Sequence, residues 1–183
     1  MQEQANAQSL IRTYIRAKDD NRPHLMPHAF AQDATLTMTV KSDAIAFPGR
    51  SEGVQAISDV LARRFGQAYD NVYTFCVADA APALDARSVV CDWLVGMTDK
   101  VSGNVRVGCG SYAWQFADTK QGLRVKELDI TIEVMQVLDP RHSPAVMDEW
   151  LARLPYPWAD AAQVSALAPS LQALAPVLNY LRR

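Results

Sequence analysis

The sequence predicts an α+β fold in which helices near the start of the chain pack on a strongly curved antiparallel sheet. Three patterns support this fold class: helical spacing of apolar residues up to residue 19, a change to period two after residue 34, and long β-rich segments between 71 and 138. A curved sheet with helices across its concave side encloses a cone, so we expect an internal cavity. The 183 residues are enough for one such domain with an appended segment.

Three helices are predicted in the first part of the chain. The first covers residues 4–19, and its apolar residues share one face: Ala7, Leu10, Ile11, Tyr14 and Ile15. A short second helix over residues 22–30 is interrupted by Pro27. Ser51 is a candidate cap for a third helix, which Gly66 would end.

Strands are predicted where β-branched and aromatic residues alternate with polar ones. The first is residues 34–41, and an antiparallel meander follows over 71–79, 87–99, 104–118 and 123–138. In the last strand we expect one core face formed by Leu128, Ile130, Ile132 and Val134. Gly108 and Gly110 lie within a strand and indicate a bulge or bend where the sheet curls.

Segment 89–97 is apolar on both faces, so its second face needs cover from another element or from a second subunit. Because we find no partner for that face in the sequence, we predict a homodimer formed through the outer face of the sheet. Val90 and Leu94 are the expected interface residues.

Residues 139–183 form a second region, a Pro- and Ala-rich helical extension of a domain that covers residues 1–138. The extension holds six of the ten prolines and two candidate helices, one starting at Ser143 and one over residues 170–181. Its aromatic residues, Trp150, Tyr156 and Trp158, are too apolar for a disordered tail. We therefore expect it to dock on the domain or on a partner subunit.

Composition excludes several classes of function. A formal net charge of −2 without a basic patch argues against nucleic-acid binding, and no apolar stretch is long enough for a membrane span. The N-terminus lacks a signal-peptide pattern, so a cytoplasmic protein is expected. The three cysteines are expected to be free thiols, although one bridge between neighbouring strands stays open. His24 and His28 lack a third ligand, and we predict neither a metal site nor a cofactor.

A phenol and a carboxylate stand on the apolar stripe of the first helix. Tyr14 and Asp19 need polar partners there, and a ligand cavity would supply them. A buried Tyr bonded to a backbone carbonyl, with Asp19 leaving the helix end into solvent, fits the pattern equally well. Trp93, Tyr112 and Trp114 on adjacent strands either line such a cavity or fill the core.

The pattern resembles the nuclear transport factor 2-like superfamily, and within it ketosteroid isomerase-like and SnoaL-like polyketide cyclase proteins. The resemblance depends on the helix-and-sheet order, Tyr14, the phrase Ala29-Phe30-Ala31-x-Asp33-Ala34 and Gly49-Arg50, and it covers roughly residues 5–138. It implies the cystatin-like cone fold and a hydrophobic ligand pocket.

Carried over to this chain, Tyr14 matches the tyrosine that donates a hydrogen bond to a developing enolate oxygen. The isomerase base would fall at Met38, which accepts no proton, and the protonated acid of the oxyanion hole would fall near Tyr112. Standard ketosteroid isomerisation is therefore not expected.

A second branch, similar to scytalone dehydratase and the dehydrochlorinases, pairs a helix-end Asp with a His from the sheet. Asp19 lies at the matching position, but the sequence has no histidine between His28 and His142.

Together these residues predict a protein that binds an apolar or polycyclic small molecule. If it is an enzyme, we expect an isomerase, lyase or cyclase that uses Tyr14 and Asp19, with Met38, Trp93, Tyr112 and Trp114 contacting the ligand. The alternative is a non-catalytic ligand carrier or a dimerisation module with the same fold.

Overall fold

A computed structural model describes residues 5–183; Gln4, the first residue of the predicted helix 4–19, lies outside them. Six α-helices and seven strands follow one another along the described chain. The helices are α1 (Ala7–Asp19), α2 (Met26–Ala29), α3 (Val54–Ser58), α4 (Phe65–Ala68), α5 (Ala161–Leu167) and α6 (Ala175–Leu181). The strands are β1 (Phe30–Val40), β2 (Arg50–Glu52), β3 (Tyr69–Val77), β4 (Ser88–Asp99), β5 (Val105–Thr119), β6 (Gly122–Leu138) and β7 (Trp158–Ala159).

Helix α1 begins at a capping box. The Asn6 side chain accepts a hydrogen bond from the Ser9 backbone N–H at 2.9 Å, and the Ser9 hydroxyl accepts one from the Asn6 N–H at 3.0 Å. These bonds satisfy two of the backbone donors that a helix start leaves free. The predicted apolar face of the helix is buried as expected.

The third predicted helix begins and ends later in the chain than its sequence signals indicate. Ser51 lies in strand β2, which pairs with β1, so Gly53 takes the capping position instead. A π-helical segment (Asp59–Arg64) then joins α3 to α4, and Gly66 lies within α4 rather than at its end. A Cβ at Gly66 would lie 2.5 Å from the Asn21 side chain, so this glycine permits close packing of two segments.

The sheet has the strand order β2-β1-β6-β5-β4-β3-β7. Strands β3 to β6 form the predicted antiparallel meander, but β1 pairs with β6 in parallel and β7 pairs with β3 in parallel. The fold is therefore the predicted α+β cone, with a curved and open sheet that is mixed at two pairings. Neither β2 nor β7 was predicted, since each has only two or three residues.

A bulge at the centre of the sheet changes which residues face the cavity. The β5–β6 register shifts between Cys109 and Gly110, which leaves Glu133 as an extra residue on β6. A Cβ on Gly110 would lie 1.8 Å from the Thr131 carbonyl oxygen, so only glycine fits the closely approaching strands. The bend expected at Gly110 is confirmed, but the prediction that Val134 shares the face of Leu128 is wrong because the bulge reverses the alternation.

Two hydrophobic clusters lie on opposite sides of the sheet. The inner cluster joins the helices α1 to α4 to the concave face of the sheet. The outer cluster joins the convex face to the C-terminal extension, and it includes Leu94, Cys109, Trp150, Leu151 and Val177. Residues 139–183 therefore pack on the outer face of the sheet in their own chain.

This docking corrects the prediction made for segment 89–97. Leu94 is fully buried within the outer cluster, so the statement that its face has no intrachain partner is wrong. A Cβ on Gly96 would lie only 2.0 Å from the Leu151 Cδ1, so the extension contacts β4 directly. Val90, the other expected interface residue, is 78% exposed.

Among residues 5–183, no helix is long and apolar enough to cross a membrane. Cys76, Cys91 and Cys109 are free and buried, which leaves the alternative of a bridge between neighbouring strands unrealised.

Candidate functional site

A cavity of about 40 Å³ lies between α1, the helical run after α3 and the concave face of the sheet. Its walls are mainly apolar, and the hydroxyl and amine groups among them belong to Tyr14, Lys18, Thr74 and Tyr112. The lining residues are Tyr14, Lys18, Met38, Ile45, Phe47, Leu61, Phe65, Thr74, Trp93, Val95, Met97, Tyr112, Ile130, Ile132 and Met135. This volume is well below the roughly 300–1,000 Å³ of typical ligand pockets, so a ligand would enter only if lining side chains moved.

Two phenol hydroxyls face one another at this cavity. The hydroxyl oxygens of Tyr14, on α1, and Tyr112, on β5, lie 3.5 Å apart, and both side chains are almost completely buried. A good O–H···O bond is about 2.7–2.8 Å long, so this contact is a weak one. Burial raises the pKa of both phenols well above 10.0, and both remain protonated donors at neutral pH.

The aromatic rings around Tyr14 hold its hydroxyl in place. The Phe30, Tyr112 and Trp114 rings pack edge-on against the Tyr14 ring with centroid distances of 5.9, 6.1 and 5.1 Å. Edge-to-face packing fixes a ring without using its hydroxyl. The Tyr14 hydroxyl is therefore positioned by its ring.

Lys18 lies one helical turn after Tyr14 and also lines the cavity. Its Nζ donates to the Thr74 hydroxyl at 2.8 Å, lies 3.4 Å from the Asp19 Oδ1 and is 4.2 Å from the centroid of the Phe65 ring. Burial lowers the pKa of Lys18, and the neighbouring Asp19 carboxylate opposes that change. The Lys18 amine is thus held at the wall of the cavity by Thr74 and Asp19.

Asp19 lies behind Lys18 rather than on the cavity wall. Its carboxylate accepts bonds from the Thr74 N–H at 2.7 Å, the Thr74 hydroxyl at 2.7 Å and the Tyr156 hydroxyl at 2.9 Å. Burial raises the pKa of Asp19, opposed by the Lys18 charge and by these donors. The carboxylate is thus held as the partner of Lys18, with its oxygens already bonded.

The C-terminal extension completes this polar cluster, because Tyr156 covers Asp19 from outside the domain. Its ring packs edge-on against Phe75 of β3 at a centroid distance of 5.6 Å. Burial and the Asp19 charge raise the pKa of the Tyr156 phenol, so it stays a hydrogen-bond donor. The C-terminal extension therefore contributes one hydrogen-bond donor to this polar cluster.

The residues expected at a ligand site divide into two groups. Tyr14, Met38, Trp93 and Tyr112 line the cavity, whereas Asp19 and Trp114 do not. Trp114 packs against Tyr14, and its buried Nε1–H has no acceptor within residues 5–183.

Sequence reasoning missed Lys18 and Thr74. Lys18 follows Tyr14 by four residues and Ile11 by seven, so the helical spacing already placed it on the buried stripe. Lysines are normally exposed, which hides that signal. Within the described part of the chain, no group of three or more His, Cys, Asp or Glu residues is arranged to hold a metal ion.

Comparison with known proteins identifies the fold. No protein-family model matches the sequence, and no curated protein matches it significantly. Solved structures do match. A nuclear transport factor 2-like superfamily protein from Salmonella enterica is 16% identical, with a TM-score of 0.56 over 69% of this chain and 88% of its own.

Two further matches carry names of enzymes. A hexachlorocyclohexane dehydrochlorinase from Novosphingobium barchaimii is 13% identical, with a TM-score of 0.57 over 73% of this chain and 88% of its own. A proposed isomerase from Rhodopseudomonas palustris is 14% identical, with a TM-score of 0.54 over 73% of this chain and 93% of its own. The chain thus has the nuclear transport factor 2-like fold, and more than a quarter of it lies outside these matches.

Proposed function

We propose that the protein binds a small, neutral, mainly apolar molecule in the cone cavity and holds one of its oxygen atoms with the Tyr14 and Tyr112 hydroxyls. The observation that carries this proposal is the pair of buried phenols, whose oxygens are 3.5 Å apart. An acceptor oxygen about 2.8 Å from both would replace one weak bond with two good ones. Two donors on one oxygen also polarise a carbonyl.

The charges around the cavity support a neutral ligand. Lys18 is the only cationic side chain among the described lining residues, and Asp19 lies 3.4 Å from its Nζ. An anionic ligand would add a buried charge that no further group neutralises, which costs several kcal/mol.

An enzyme with this site would be an isomerase, lyase or cyclase, as the names of the dehydrochlorinase and isomerase neighbours also suggest. Tyr14 and Tyr112 would stabilise negative charge on a carbonyl oxygen, and Asp19, the predicted carboxylate, would act through Lys18. A ligand carrier is the second candidate. It is favoured by the described lining, which contains no carboxylate or imidazole to take a proton.

A homodimer and a cytoplasmic location remain predictions. The extension already covers much of the outer sheet face, so a dimer would have to form through another surface. Val90 is an exposed apolar residue that such a surface could include. Sedimentation at micromolar concentration checks the dimer, and a monomer would contradict it.

Titration with a matched pair of ligands tests the proposed binding mode. 1-Indanone and indane have nearly the same shape, and only the ketone has an acceptor oxygen. Tryptophan fluorescence reports binding because Trp93 lines the cavity. We expect the wild type to bind the ketone about tenfold more tightly, since a buried hydrogen bond contributes about 1 to 1.5 kcal/mol.

Variants separate the phenols from other tyrosines. Tyr14→Phe and Tyr112→Phe should each reduce the preference for the ketone, whereas Tyr73→Phe, the same change outside the cavity lining, should not. Equal affinity for ketone and hydrocarbon in the wild type would overturn the proposed role of the hydroxyls.

A further inference from the structure

We propose that Lys18 captures a carbonyl compound in the cavity as an imine, with Asp19 as the counter-ion of the protonated product. The inference rests on the proposed function, since it requires that a neutral carbonyl ligand enters the cavity. It names the class of ligand, an aldehyde or ketone, and a covalent role for a residue that the resemblance does not assign.

The placement of Lys18 supports attack on a ligand inside the cavity. Tyr14 and Lys18 are four residues apart on α1 and both line the cavity. Side chains at this spacing are neighbours on one helix face. A carbonyl whose oxygen contacts the Tyr14 hydroxyl would therefore lie next to the helix face that carries Lys18.

The hydrogen bonds of Lys18 leave capacity for the reaction. An ammonium has three donors, and among residues 5–183 two oxygens receive them: the Thr74 hydroxyl at 2.8 Å and the Asp19 Oδ1 at 3.4 Å. The Thr74 hydroxyl accepts a hydrogen bond from the lysine and donates one to the Asp19 carboxylate at 2.7 Å. The remaining ammonium hydrogen has no oxygen acceptor among these residues, and a ligand would approach there, beside the Phe65 ring whose centroid lies 4.2 Å from the Nζ.

The charge balance of the site is the same before and after condensation. Lys18 and Asp19 form a pair whose side chains are 9% and 1% exposed. A protonated imine carries the same single positive charge as the ammonium that it replaces, so Asp19 still faces one cation. The reaction therefore leaves no new uncompensated charge in the apolar interior.

The step balances without an oxidant or reductant. The Asp19 carboxylate first accepts one of the three ammonium protons, which frees the amine lone pair to form a C–N bond to the carbonyl carbon. The carbonyl oxygen, which accepts hydrogen bonds from the Tyr14 and Tyr112 hydroxyls, then gains that proton. The carbinolamine then loses water as the C=N bond forms. Two of the three ammonium protons leave with the oxygen as water, and the third stays on the imine nitrogen.

Reductive trapping tests the inference on the wild-type protein. Benzaldehyde and sodium cyanoborohydride convert an imine into a stable benzyl amine, and peptide mapping then locates the label among the five lysines. We expect Lys18 to be labelled about tenfold or more faster than any surface lysine, since burial increases its fraction of free amine. Lys41 and Lys120, both exposed, serve as internal references.

Protection and substitution then test whether the label enters through the cavity. Excess 1-indanone should slow labelling of Lys18 and leave Lys41 unchanged. Tyr14→Phe should also slow Lys18 labelling, whereas Lys126→Met, a change outside the cavity lining, should not.

The outcomes separate this inference from the proposed function. If only surface lysines are labelled while the wild type still binds 1-indanone more tightly than indane, and Tyr14→Phe still reduces that preference, the covalent role of Lys18 is overturned and the ligand site is not. Label on Lys18 that 1-indanone does not block would overturn capture within the cavity. Absence of both binding and Lys18 label would overturn both proposals.

Discussion

The extension contacts the sheet through Leu151, so truncation of this side chain should cause a large loss of stability. Leu151 is fully buried, and its Cδ1 fills the space that a Cβ on Gly96 would otherwise occupy. Leu151→Ala leaves a cavity between the extension and β4. We expect the free energy of unfolding to fall by about 2 to 5 kcal/mol, the usual cost of a buried Leu→Ala change.

The matched control is Leu167→Ala, in α5 of the same extension, because Leu167 is 42% exposed. That change should stay within about 0.5 kcal/mol of wild type. Urea unfolding measures both variants, and for a chain of this size each kcal/mol shifts the melting temperature by about 2 to 4 °C.

A second measurement shows whether the extension itself loosens. The Cys109 Sγ lies on the outer sheet face, 3.9 Å from the Val177 carbonyl oxygen of α6. Leu151→Ala should therefore increase the rate at which a thiol reagent modifies Cys109 in the native protein. Equal stability of the Leu151 and Leu167 variants, with unchanged Cys109 reactivity, would refute the docked arrangement.

Three further predictions follow from the site and the core. Tyr14→Phe should change the free energy of unfolding by less than about 1 kcal/mol, because the hydroxyl bond that it removes is 3.5 Å long; a larger loss in urea unfolding would show that Tyr14 is mainly structural. Isomerisation of a 5-ene-3-ketosteroid should stay near background in an absorbance assay, since Met38 stands where a base is needed; activity within about a hundredfold of a competent isomerase would contradict this. Burial, with Asp92 and Glu133 nearby, raises the pKa of Cys109 from 9.0 to about 12. The thiol therefore loses its proton at lower pH in the unfolded chain than in the folded protein. The free energy of unfolding should fall as pH rises from 9.0 to about 12, by up to about 1.4 kcal/mol per pH unit. Cys109→Ser should reduce that slope, and an identical slope in both proteins would show that other groups cause it.

Much of the fold could be predicted because its signals are local. The apolar stripe of α1 and the alternation in β1 and β3 to β6 depend on residues a few positions apart, and these elements appear within a few residues of their predicted bounds. Tyr14, Met38, Trp93 and Tyr112 were predicted as site residues for the same reason, since each stands on the core face of its element.

The parts that could not be predicted depend on contacts between distant segments. Glu133 becomes an extra residue only because Gly110 and Thr131 approach closely, and this reverses the faces of Val134 and Met135. Trp114 has the expected alternation, yet the ring of Tyr14 lies against it, so it does not line the cavity.

The sequence by itself determined the class of fold, the apolar character of the cavity and the two-sided hydrophobicity of β4, because periodicity records which faces avoid water. Only the tertiary structure decided what covers the outer face. Leu151 from the extension meets Gly96 of β4 more than fifty positions earlier, and Tyr156 reaches Asp19 at 2.9 Å across most of the chain. Only the tertiary structure also places Lys18 at the cavity wall, where its contacts with Thr74 and Asp19 offset part of the cost of burying its charge.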